Sequence, residues 1–271
     1  MHATRIKKIF PGEDDFLKRN LADLPYFRAI LRSVESRFYS EISIESPVLD
    51  LGCGDGHFTR ITFKNHQIIG IDPQFSTLQE ARMDSSYKAL IHSPGQVLPF
   101  KGGVFKSCIS NSVLEHIIDI EPVLQQVARV LELHGLFVFC VPNQNFTRNL
   151  SVALFLEKLR LNRFANSYRV FFNRISRHIH CDSYYIWEKR LNKAGFTIID
   201  HWDYFSPSAL RTLEWGHYFG LPYLISRLVF GKWVLCPALN QMLLYPLLKK
   251  FYLENSRQKQ GSYSFFVTRK V

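Results

Sequence analysis

Three glycines and two aspartates follow two consecutive predicted strands and have the chemistry to bind a nucleoside. Asp50 lies in the first strand, VLDL, and Gly52, Gly54 and Gly56 follow at alternate positions. Glycine allows a tight strand-to-helix turn and lets backbone amides approach a ligand without a clashing Cβ atom. Asp72 ends the next strand, QIIGID, sixteen residues after Gly56, and its carboxylate can accept hydrogen bonds from two ribose hydroxyls. This pair of features indicates a nucleoside site.

The spacing of the glycines distinguishes between kinds of nucleotide. A glycine trio alone can mark any turn, so its position between a strand and a helix matters. A dinucleotide-binding loop, G-x-G-x-x-G, would require glycine at position 57, where this chain has His57. The sequence therefore favours a nucleoside without a pyrophosphate.

The elements that must position these residues alternate between strands and helices. An amphipathic helix over residues 25–44 precedes the strands VLDL, QIIGID, ALIHS, FKSCIS and LFVFCV, and the helix Ile120 to Glu132 lies before the fifth strand. A further helix, Ser183 to Ala194, ends at Gly195 as its cap, and the strands FTIIDHWDYF and SYSFFVTRKV follow. Such alternation predicts a parallel sheet with helices on both faces.

Four short segments, DLGCGDG, GID, LPF at Leu98 to Phe100 and SVLEHI at Ser112 to Ile117, together resemble class I S-adenosylmethionine-dependent methyltransferases, with the type 11 methyltransferases as the nearest branch. The resemblance covers residues 47–143 and, more loosely, 187–204 and 262–270. It implies an α/β fold with a doubly wound, mostly parallel, seven-stranded Rossmann-like sheet, an antiparallel last strand and helical insertions. It also implies a methyltransferase with S-adenosylmethionine as its cofactor.

The resemblance assigns a cofactor role to residues along the carboxyl edge of the sheet. These residues are Asp50, Gly52, Cys53, Gly54, Gly56, Asp72, Pro73, Gln74, Gly95, Gln96 and Asn111. By that resemblance, Asp50 and the glycine loop would hold the methionine part, and Cys53 would pack beneath the cofactor. The ribose would bind Asp72, while Pro73 and Gln74 would flank the adenosine. The pair Gly95 and Gln96 would lie beside adenine, and Asn111 would offer an oxygen to the methionyl ammonium.

Two positions depart from the pattern of these methyltransferases. An acid often precedes the pair that matches Gly95 and Gln96, and this chain has Pro94 there. An Asp usually follows the Phe that opens the fourth strand, and this chain has Lys106. We therefore expect backbone groups to recognise adenine and an electrostatic contact near the cofactor loop to be lost.

Three histidines are candidate catalytic residues. Methyl transfer from a sulfonium is an in-line displacement, and a hydroxyl acceptor also needs a base, for which histidine is the usual choice. His116 follows the fourth strand, and the alternative to a role as base is a structural role or a role beside the cofactor. His178 and His180 alternate and would face one side of an extended segment, with a surface or packing role as the alternative. With Cys181 they lack the four ligands of a structural zinc site, so we expect no metal.

Two segments outside the sheet combine aromatic and basic residues. The arginines of the first segment are Arg148, Arg160, Arg163, Arg169, Arg174 and Arg177. Insertions over the carboxyl ends of strands receive ligands in open α/β sheets, so we expect a substrate lid. Residues 1–144 contain 15 Lys or Arg and 16 Asp or Glu, whereas residues 145–271 contain 19 and 7. This asymmetry favours an acidic partner, which is an anionic substrate, a membrane surface or a nucleic acid, or else a merely solubilising surface. With the aromatic residues, it leads us to expect an anionic or lipid-linked small-molecule acceptor at an anionic membrane surface.

The chain is expected to form a single methyltransferase domain over residues 1–271. Its parts are an N-terminal helical segment (1–46), a cofactor-binding core (47–143), a helical insertion or lid (144–180), the end of the sheet (181–205 and 262–271) and a second aromatic and basic insertion (206–261). Five cysteines, mostly in apolar runs, argue against a secreted disulfide framework and favour the cytoplasm, with the membrane periphery as a further location.

Two stretches of the sequence could indicate secretion or insertion into a membrane. The N-terminus, MHATRIKKIFPGEDD, lacks the apolar core of a signal peptide, so we expect the mature chain to start there. The stretch Trp233 to Leu248 is 16 residues long and contains two prolines, whereas a spanning helix needs about 20 apolar residues. We therefore do not expect it to cross a membrane.

Two further functional classes remain open beside an O-methyltransferase of small molecules. An RNA or protein methyltransferase would suit the basic charge, but no recognised RNA-binding module is present and the D/N-P-P-Y/F motif is replaced by NSVL, so nucleic acid is not expected as a partner. A non-catalytic module that binds S-adenosylmethionine is the other alternative. The sequence does not fix the acceptor atom or the oligomeric state.

Overall fold

The computed structural model describes residues 15–63, 67–83 and 86–271. The strands are β1 (Val48–Leu51), β2 (Ile68–Asp72), β3 (Ala89–His92), β4 (Phe105–Asn111), β5 (Leu131–Pro142), β6 (Phe196–Tyr204) and β7 (Tyr263–Lys270). The helices are α1 (Phe16–Asp23), α2 (Tyr26–Ser40), α3 (His57–Thr62), α4 (Phe75–Arg82), α5 (Glu121–Val130), α6 (Asn145–Arg148), α7 (Ser151–Lys158), α8 (Asn162–Ile175), α9 (Tyr184–Lys193), α10 (Pro207–Phe219), α11 (Leu221–Phe230) and α12 (Pro237–Tyr252), with a 3-10 turn at Leu114–His116. The expectation about MHATRIKKIFPGEDD falls on residues that, apart from Asp15, lie outside the described ranges.

The strands form one seven-stranded sheet in the order β3-β2-β1-β4-β5-β7-β6. β1 to β5 run parallel, whereas β7 is antiparallel to both β5 and β6. The predicted doubly wound sheet with an antiparallel last strand is therefore confirmed. The order reverses between β1 and β4, and the carboxyl ends of the parallel strands meet at one edge there, which is where open α/β sheets bind ligands.

The core of the sheet is aromatic and aliphatic and lies against α5 and α9. Phe137, Phe139 and Phe266 from β5 and β7 are fully buried, and Phe139 contacts the Trp187 ring of α9 at a centroid distance of 5.2 Å. The apolar positions that predicted α5 are buried on the same side, including Val123 and the residues one turn further along. This packing holds the strands in register and so fixes where each strand ends.

The internal contacts of the chain group into two compact units, and the assignment of residues 1–271 to a single methyltransferase domain stays a prediction. The sheet unit comprises residues 44–211 and 255–271, and the described part of the helical unit comprises residues 15–43 and 212–254. Within the helical unit, Asn240 of α12 donates to the carbonyl oxygen of Leu21 at 2.7 Å, and the Tyr245 hydroxyl donates to Asp15 at 2.6 Å. Most of the second insertion thus packs on the N-terminal helices, because its polar side chains form hydrogen bonds with residues of that segment.

None of the helices within residues 15–63, 67–83 and 86–271 is long and apolar enough to cross a membrane. The Trp233 to Leu248 stretch begins before α12 and lies largely within that helix, which starts at Pro237 and contains Pro246.

Candidate functional site

The glycine loop turns from β1 into α3 with three residues in the left-handed backbone region. Gly52 has φ 77°, and a Cβ atom there would lie 2.4 Å from Val113, so this glycine is required by packing. Gly54 has φ 56°, and a Cβ atom there would meet nothing within 4 Å. The loop therefore packs closely at one end and presents backbone to open space at Gly54, as a loop that cradles a ligand must.

Asp72, at the carboxyl end of β2, is joined directly to this loop. Its Oδ2 accepts a hydrogen bond from the backbone N–H of Gly54 at 3.0 Å, and its Oδ1 accepts one from the N–H of Gln74 at 2.8 Å. The side chain is half-buried, and an ionised carboxylate has about four lone-pair sites. The Thr77 hydroxyl also lies 3.4 Å from Oδ1, so acceptor capacity for ribose remains mainly on Oδ2, beside the open face of Gly54. These residues therefore fit an adenosine with a chain extending along the loop.

Asp50 accepts hydrogen bonds that stabilise the structure around the glycine loop. Its carboxylate is buried, and Oδ2 accepts hydrogen bonds from the hydroxyls of Thr59 and Tyr87, both at 2.6 Å. Burial, followed by the neighbouring Asp50 charge, raises the pKa of Tyr87 well above its usual value. Sequence reasoning did not identify Thr59 or Tyr87, and no spacing signal marks them. The proposed contact of Asp50 with the methionine part stays a prediction.

Cys53 lies buried behind the same loop. Its sulfur would be 2.8 Å from a Cβ atom placed at Gly70, so the two residues fit closely. Burial, then the charges of Asp50 and Asp72, raise the pKa of the Cys53 thiol well above its usual range. Because the thiolate is the reactive form, this environment suits packing beneath a ligand and not nucleophilic chemistry.

The segment predicted to flank adenine follows β3. A Cβ atom at Gly95 would lie 3.2 Å from the side chains of both Leu51 and Val123, so this glycine packs over the end of β1. The Ser93 hydroxyl closes the turn by donating to the carbonyl oxygen of Val97 at 2.6 Å. Pro94 is exposed, and Gln96 is half-buried. The segment thus lies at the same sheet edge as the glycine loop.

The expectation about Lys106 needs correction. Lys106 is the second residue of β4, and the next residue, Ser107, is in register with Val48 at the start of β1. Its ammonium lies 3.3 Å from Glu45. The side chain therefore sits at the amino edge of the sheet, one strand length away from the glycine loop, and it removes no contact near that loop. Asn111, at the other end of β4, is buried and its amide donates to the sulfur of Cys140 at 2.9 Å.

The structure brings the three candidate histidines together beyond the end of β4. The backbone N–H groups of Ile179 and His180 donate to the carbonyl oxygen of Glu115 at 2.8 and 3.1 Å. The rings of His116 and His178 lie 5.6 Å apart between centroids, and the His178 ring contacts Phe146 at 4.7 Å. The end of the first insertion is thus held against the turn that follows β4.

The ring nitrogens of His116 and His180 have different surroundings. His180 Nε2 lies 2.9 Å from the carbonyl oxygen of Ile117, and Nδ1 lies 3.1 Å from Asp182, so both nitrogens face protein oxygens. His116 Nδ1 lies 2.8 Å from the carbonyl oxygen of Arg177, which only a protonated Nδ1 can bond. In the neutral His116 ring the lone pair is therefore on Nε2, which lies 3.8 Å from Glu115 Oε1, beyond hydrogen-bond distance, in a side chain that is 41% exposed.

Cys181 and the charged groups near it complete this cluster. Its sulfur lies 3.9 Å from His178 Nδ1 and 3.5 Å from the side-chain oxygen of Asn173. Burial, followed by the Glu115 and Asp182 charges, raises the pKa of Cys181 to about 12. Within the described ranges, no three or more His, Cys, Asp or Glu side chains are arranged to hold a metal ion.

The first insertion consists of helices whose basic and aromatic residues divide into two groups. Arg169 is used within the insertion, since it donates to the carbonyl oxygen of Thr147 at 3.1 Å and pairs with Glu157 at 2.8 Å. Phe172 is buried against Phe146. The aromatic rings of Phe155, Phe164 and Phe171 are instead exposed. The buried group holds the helices of the insertion together, and the exposed group is available to other molecules.

Comparisons with known proteins agree with this geometry. Residues 49–139 match the family described as methyltransferase domain. A malonyl-acyl-carrier protein O-methyltransferase of Legionella pneumophila is 28% identical over 112 residues, which cover 39% of either chain. A ubiquinone biosynthesis O-methyltransferase of Bradyrhizobium diazoefficiens is 30% identical over 105 residues, 36% of this chain and 41% of the relative. The chain thus spans about two fifths of the length of these relatives.

The solved structures extend the likeness of the fold to the rest of the chain. A SAM-dependent methyltransferase of Thermotoga maritima superposes with a TM-score of 0.52 over 90% of both chains, at 14% identity. The strand order, the glycine loop with Asp72 and the match over residues 49–139 all lead to one assignment. Residues 49–139 of this chain thus match a methyltransferase domain, and the fold around them is that of class I S-adenosylmethionine-dependent methyltransferases.

Proposed function

We propose that the protein transfers a methyl group from S-adenosylmethionine to a small-molecule acceptor. The observation that carries this proposal is the open face of Gly54 beside the Asp72 carboxylate, at the edge where the sheet order reverses. Asp72 would hold the ribose hydroxyls, and the backbone of the glycine loop would hold the methionine part. When bound, S-adenosylmethionine supplies an electrophilic methyl group. The chain's own task is to align the acceptor with it and to exclude water.

The acceptor that we propose is an anionic or lipid-linked molecule, methylated on oxygen. The similar curated proteins are named as O-methyltransferases, one of a malonyl-acyl-carrier protein and the other of ubiquinone biosynthesis. Exposed rings on α7 and α8, with basic residues such as Arg163 and Arg174 beside them, suit an acceptor with an apolar and an anionic part. Such an acceptor would also be consistent with a location at the membrane periphery.

His116 is the residue that we propose as the base for a hydroxyl acceptor. The Arg177 carbonyl holds its Nδ1–H and so directs the basic lone pair to Nε2. His180 is the weaker candidate, because both of its nitrogens lie within 3.1 Å of protein oxygens and its side chain is 12% exposed, against 41% for His116. The Nδ1 atom of His178 lies 3.9 Å from the sulfur of Cys181. In this arrangement His116 would accept the acceptor's proton, while His178 and His180 hold the turn in place.

A comparison of His116→Asn with His134→Asn tests the base. His134 is an exposed histidine near the amino end of β5 and serves as the matched control. General acid–base contributions are typically about 100- to 10,000-fold, so we expect the His116 variant to lose at least about 100-fold in kcat with unchanged cofactor affinity. The acid limb of the pH–rate profile should also disappear. Equal activity of both variants would remove His116 from the mechanism.

The substrate class is tested with a labelled methyl donor. The purified chain is incubated with S-adenosylmethionine carrying a labelled methyl group and with separated lipid, saccharide, RNA and protein fractions. We expect label in the lipid or small-molecule fraction, in a form that base hydrolysis or O-demethylation releases. Label in RNA or protein would support the alternative substrate classes instead. Cofactor binding without transfer to any fraction would support a non-catalytic module.

A further inference from the structure

The helical unit exposes two apolar stripes. On α11, Leu221, Leu224, Ile225, Leu228 and Val229 are between 44% and 76% exposed. They follow one another at the spacing of one helical face, three and four residues apart. The same helix buries Ser226, whose hydroxyl donates to the Lys232 carbonyl at 2.6 Å. The polar side chain therefore points inward and the apolar stripe outward, which reverses the usual arrangement of a surface helix.

The second stripe lies on α12 and repeats this reversal. Leu239, Met242, Leu243 and Leu247 are at least half exposed and share one helical face. The residues that fix α12 to the rest of the helical unit are Asn240, Gln241, Tyr245, Leu248 and Tyr252. The hydrogen bond of 2.8 Å from the Tyr223 hydroxyl to Asn240 also joins α11 to α12. Scattered exposed apolar residues are normal, but two ordered stripes on joined helices indicate a binding surface.

The charged side chains carried by α11, α12 and the segment that joins them are all positive. Residues 215–253 contain no Asp or Glu, whereas they contain Arg227, Lys232, Lys249 and Lys250. A symmetric self-association through this surface would place like charges against one another without acids to pair them. An anionic lipid surface instead complements both parts, since acyl chains meet the stripes and headgroups meet the cations.

The dimensions of the helices fit a surface and not a span. α11 has 10 residues and α12 has 16, with Pro246 inside it. A spanning helix needs about 20. Between the two helices an apolar cleft of about 310 Å³, lined by residues such as Trp233, Leu239 and Leu243, opens to solvent. A helix with one apolar face and flanking cations lies in the plane of the interface, with its apolar face among the acyl chains.

We infer that the α11–α12 surface docks on an anionic lipid bilayer. This inference deepens the proposed function, on which it rests for its role: a chain lying on a bilayer would meet a lipid-linked acceptor there. The docking itself depends only on the two stripes and the four cations. Vesicle binding and cofactor binding can therefore be measured separately in the same full-length protein.

Co-sedimentation with vesicles tests the inference. We expect the chain to bind vesicles of phosphatidylglycerol mixed with phosphatidylcholine, more weakly at physiological than at low ionic strength, and to bind phosphatidylcholine alone far less. The variant Leu228→Gln/Met242→Gln should bind at least about tenfold more weakly, while the control Met83→Gln/Leu133→Gln, which changes exposed apolar residues of the sheet unit, should bind like the wild type. Unfolding in urea and calorimetric S-adenosylmethionine binding should be the same for all three.

The charges are tested by a second pair of variants. Each basic residue near an anionic surface contributes about fivefold, so Lys249→Gln/Lys250→Gln should bind about 25-fold more weakly than Lys189→Gln/Lys193→Gln on α9. Failure of the wild type to bind any vesicle would overturn the inference, as would equal binding by the stripe variant and its control. A concentration-dependent dimer that the stripe variant abolishes, without vesicle binding, would assign the surface to a second copy of the chain and also overturn it. Loss of cofactor binding with vesicle binding retained would count against the proposed function alone.

Discussion

Substitution of Gly54 by alanine separates ligand binding from folding. The left-handed backbone at Gly54 costs a non-glycine residue roughly 1–2 kcal/mol, offset in part by about 0.4–1 kcal/mol from the less flexible unfolded chain. The added methyl group meets no protein atom within 4 Å, and the N–H that bonds Asp72 is retained. We therefore expect a loss of stability near 1 kcal/mol and an intact fold.

Gly195 provides the matched control. It has φ 86°, a Cβ atom there would also meet nothing within 4 Å, and it lies between α9 and β6. Gly195→Ala should thus lose about as much stability as Gly54→Ala in urea unfolding. Only the Gly54 methyl group would occupy space proposed for the cofactor, and overpacking costs about 1–3 kcal/mol. That cost corresponds to roughly 5- to 150-fold weaker S-adenosylmethionine binding in calorimetry. Equal affinities of the two variants would refute the assignment of this space.

Three further variants or reactions test other parts of the site. Asp72→Asn should weaken S-adenosylmethionine binding about 10- to 100-fold, because a bond to an ionised acceptor contributes about 1.5–3 kcal/mol; a calorimetric change below threefold would contradict this role. Tyr87→Phe removes a hydrogen-bond donor from the buried Asp50 carboxylate and should lower the free energy of unfolding, measured in urea, by about 1–3 kcal/mol. An unchanged free energy of unfolding would show that this bond does not contribute to stability. At pH 8, a thiol reagent should modify the exposed Cys236 rapidly and the other four cysteines slowly, because those four are at least partly buried. A pKa of about 12 at Cys181 leaves about one thiolate in ten thousand at this pH. Rapid labelling of Cys181 would contradict the buried environment assigned to it.

Local patterns predicted the sheet and the position of its ligand edge. The strands alternate with helices whose apolar residues recur at helical spacing, and Gly52 to Gly56 lie where the turn needs left-handed backbone. The bond between Gly54 and Asp72 joins the ends of two adjacent strands, so the sequence could indicate that these residues meet. The periodicity of helices and strands and the residues that form turns are local properties of the sequence, so local patterns could predict these elements.

The parts that sequence reasoning missed depend on contacts between distant residues. Tyr87 lies 37 positions from Asp50, and Ile117 lies 63 positions from His180, with no periodic pattern to link them. The contacts of α12 with α1 join residues more than 200 positions apart, so residues 206–261 read as an insertion into the sheet. The expected effect of Lys106 on the glycine loop was wrong because Lys106 follows Phe105 at the start of β4, and the starts of the parallel strands lie at the edge opposite the loop.

Calorimetric titration of the purified chain with S-adenosylmethionine, and in parallel with NAD⁺, tests the central claim most directly. The glycine loop with His57 in place of the third dinucleotide glycine, and Asp72 beside Gly54, predict one S-adenosylmethionine per chain and no measurable binding of the dinucleotide. Binding of NAD⁺ in place of S-adenosylmethionine, or of neither, would contradict the claim.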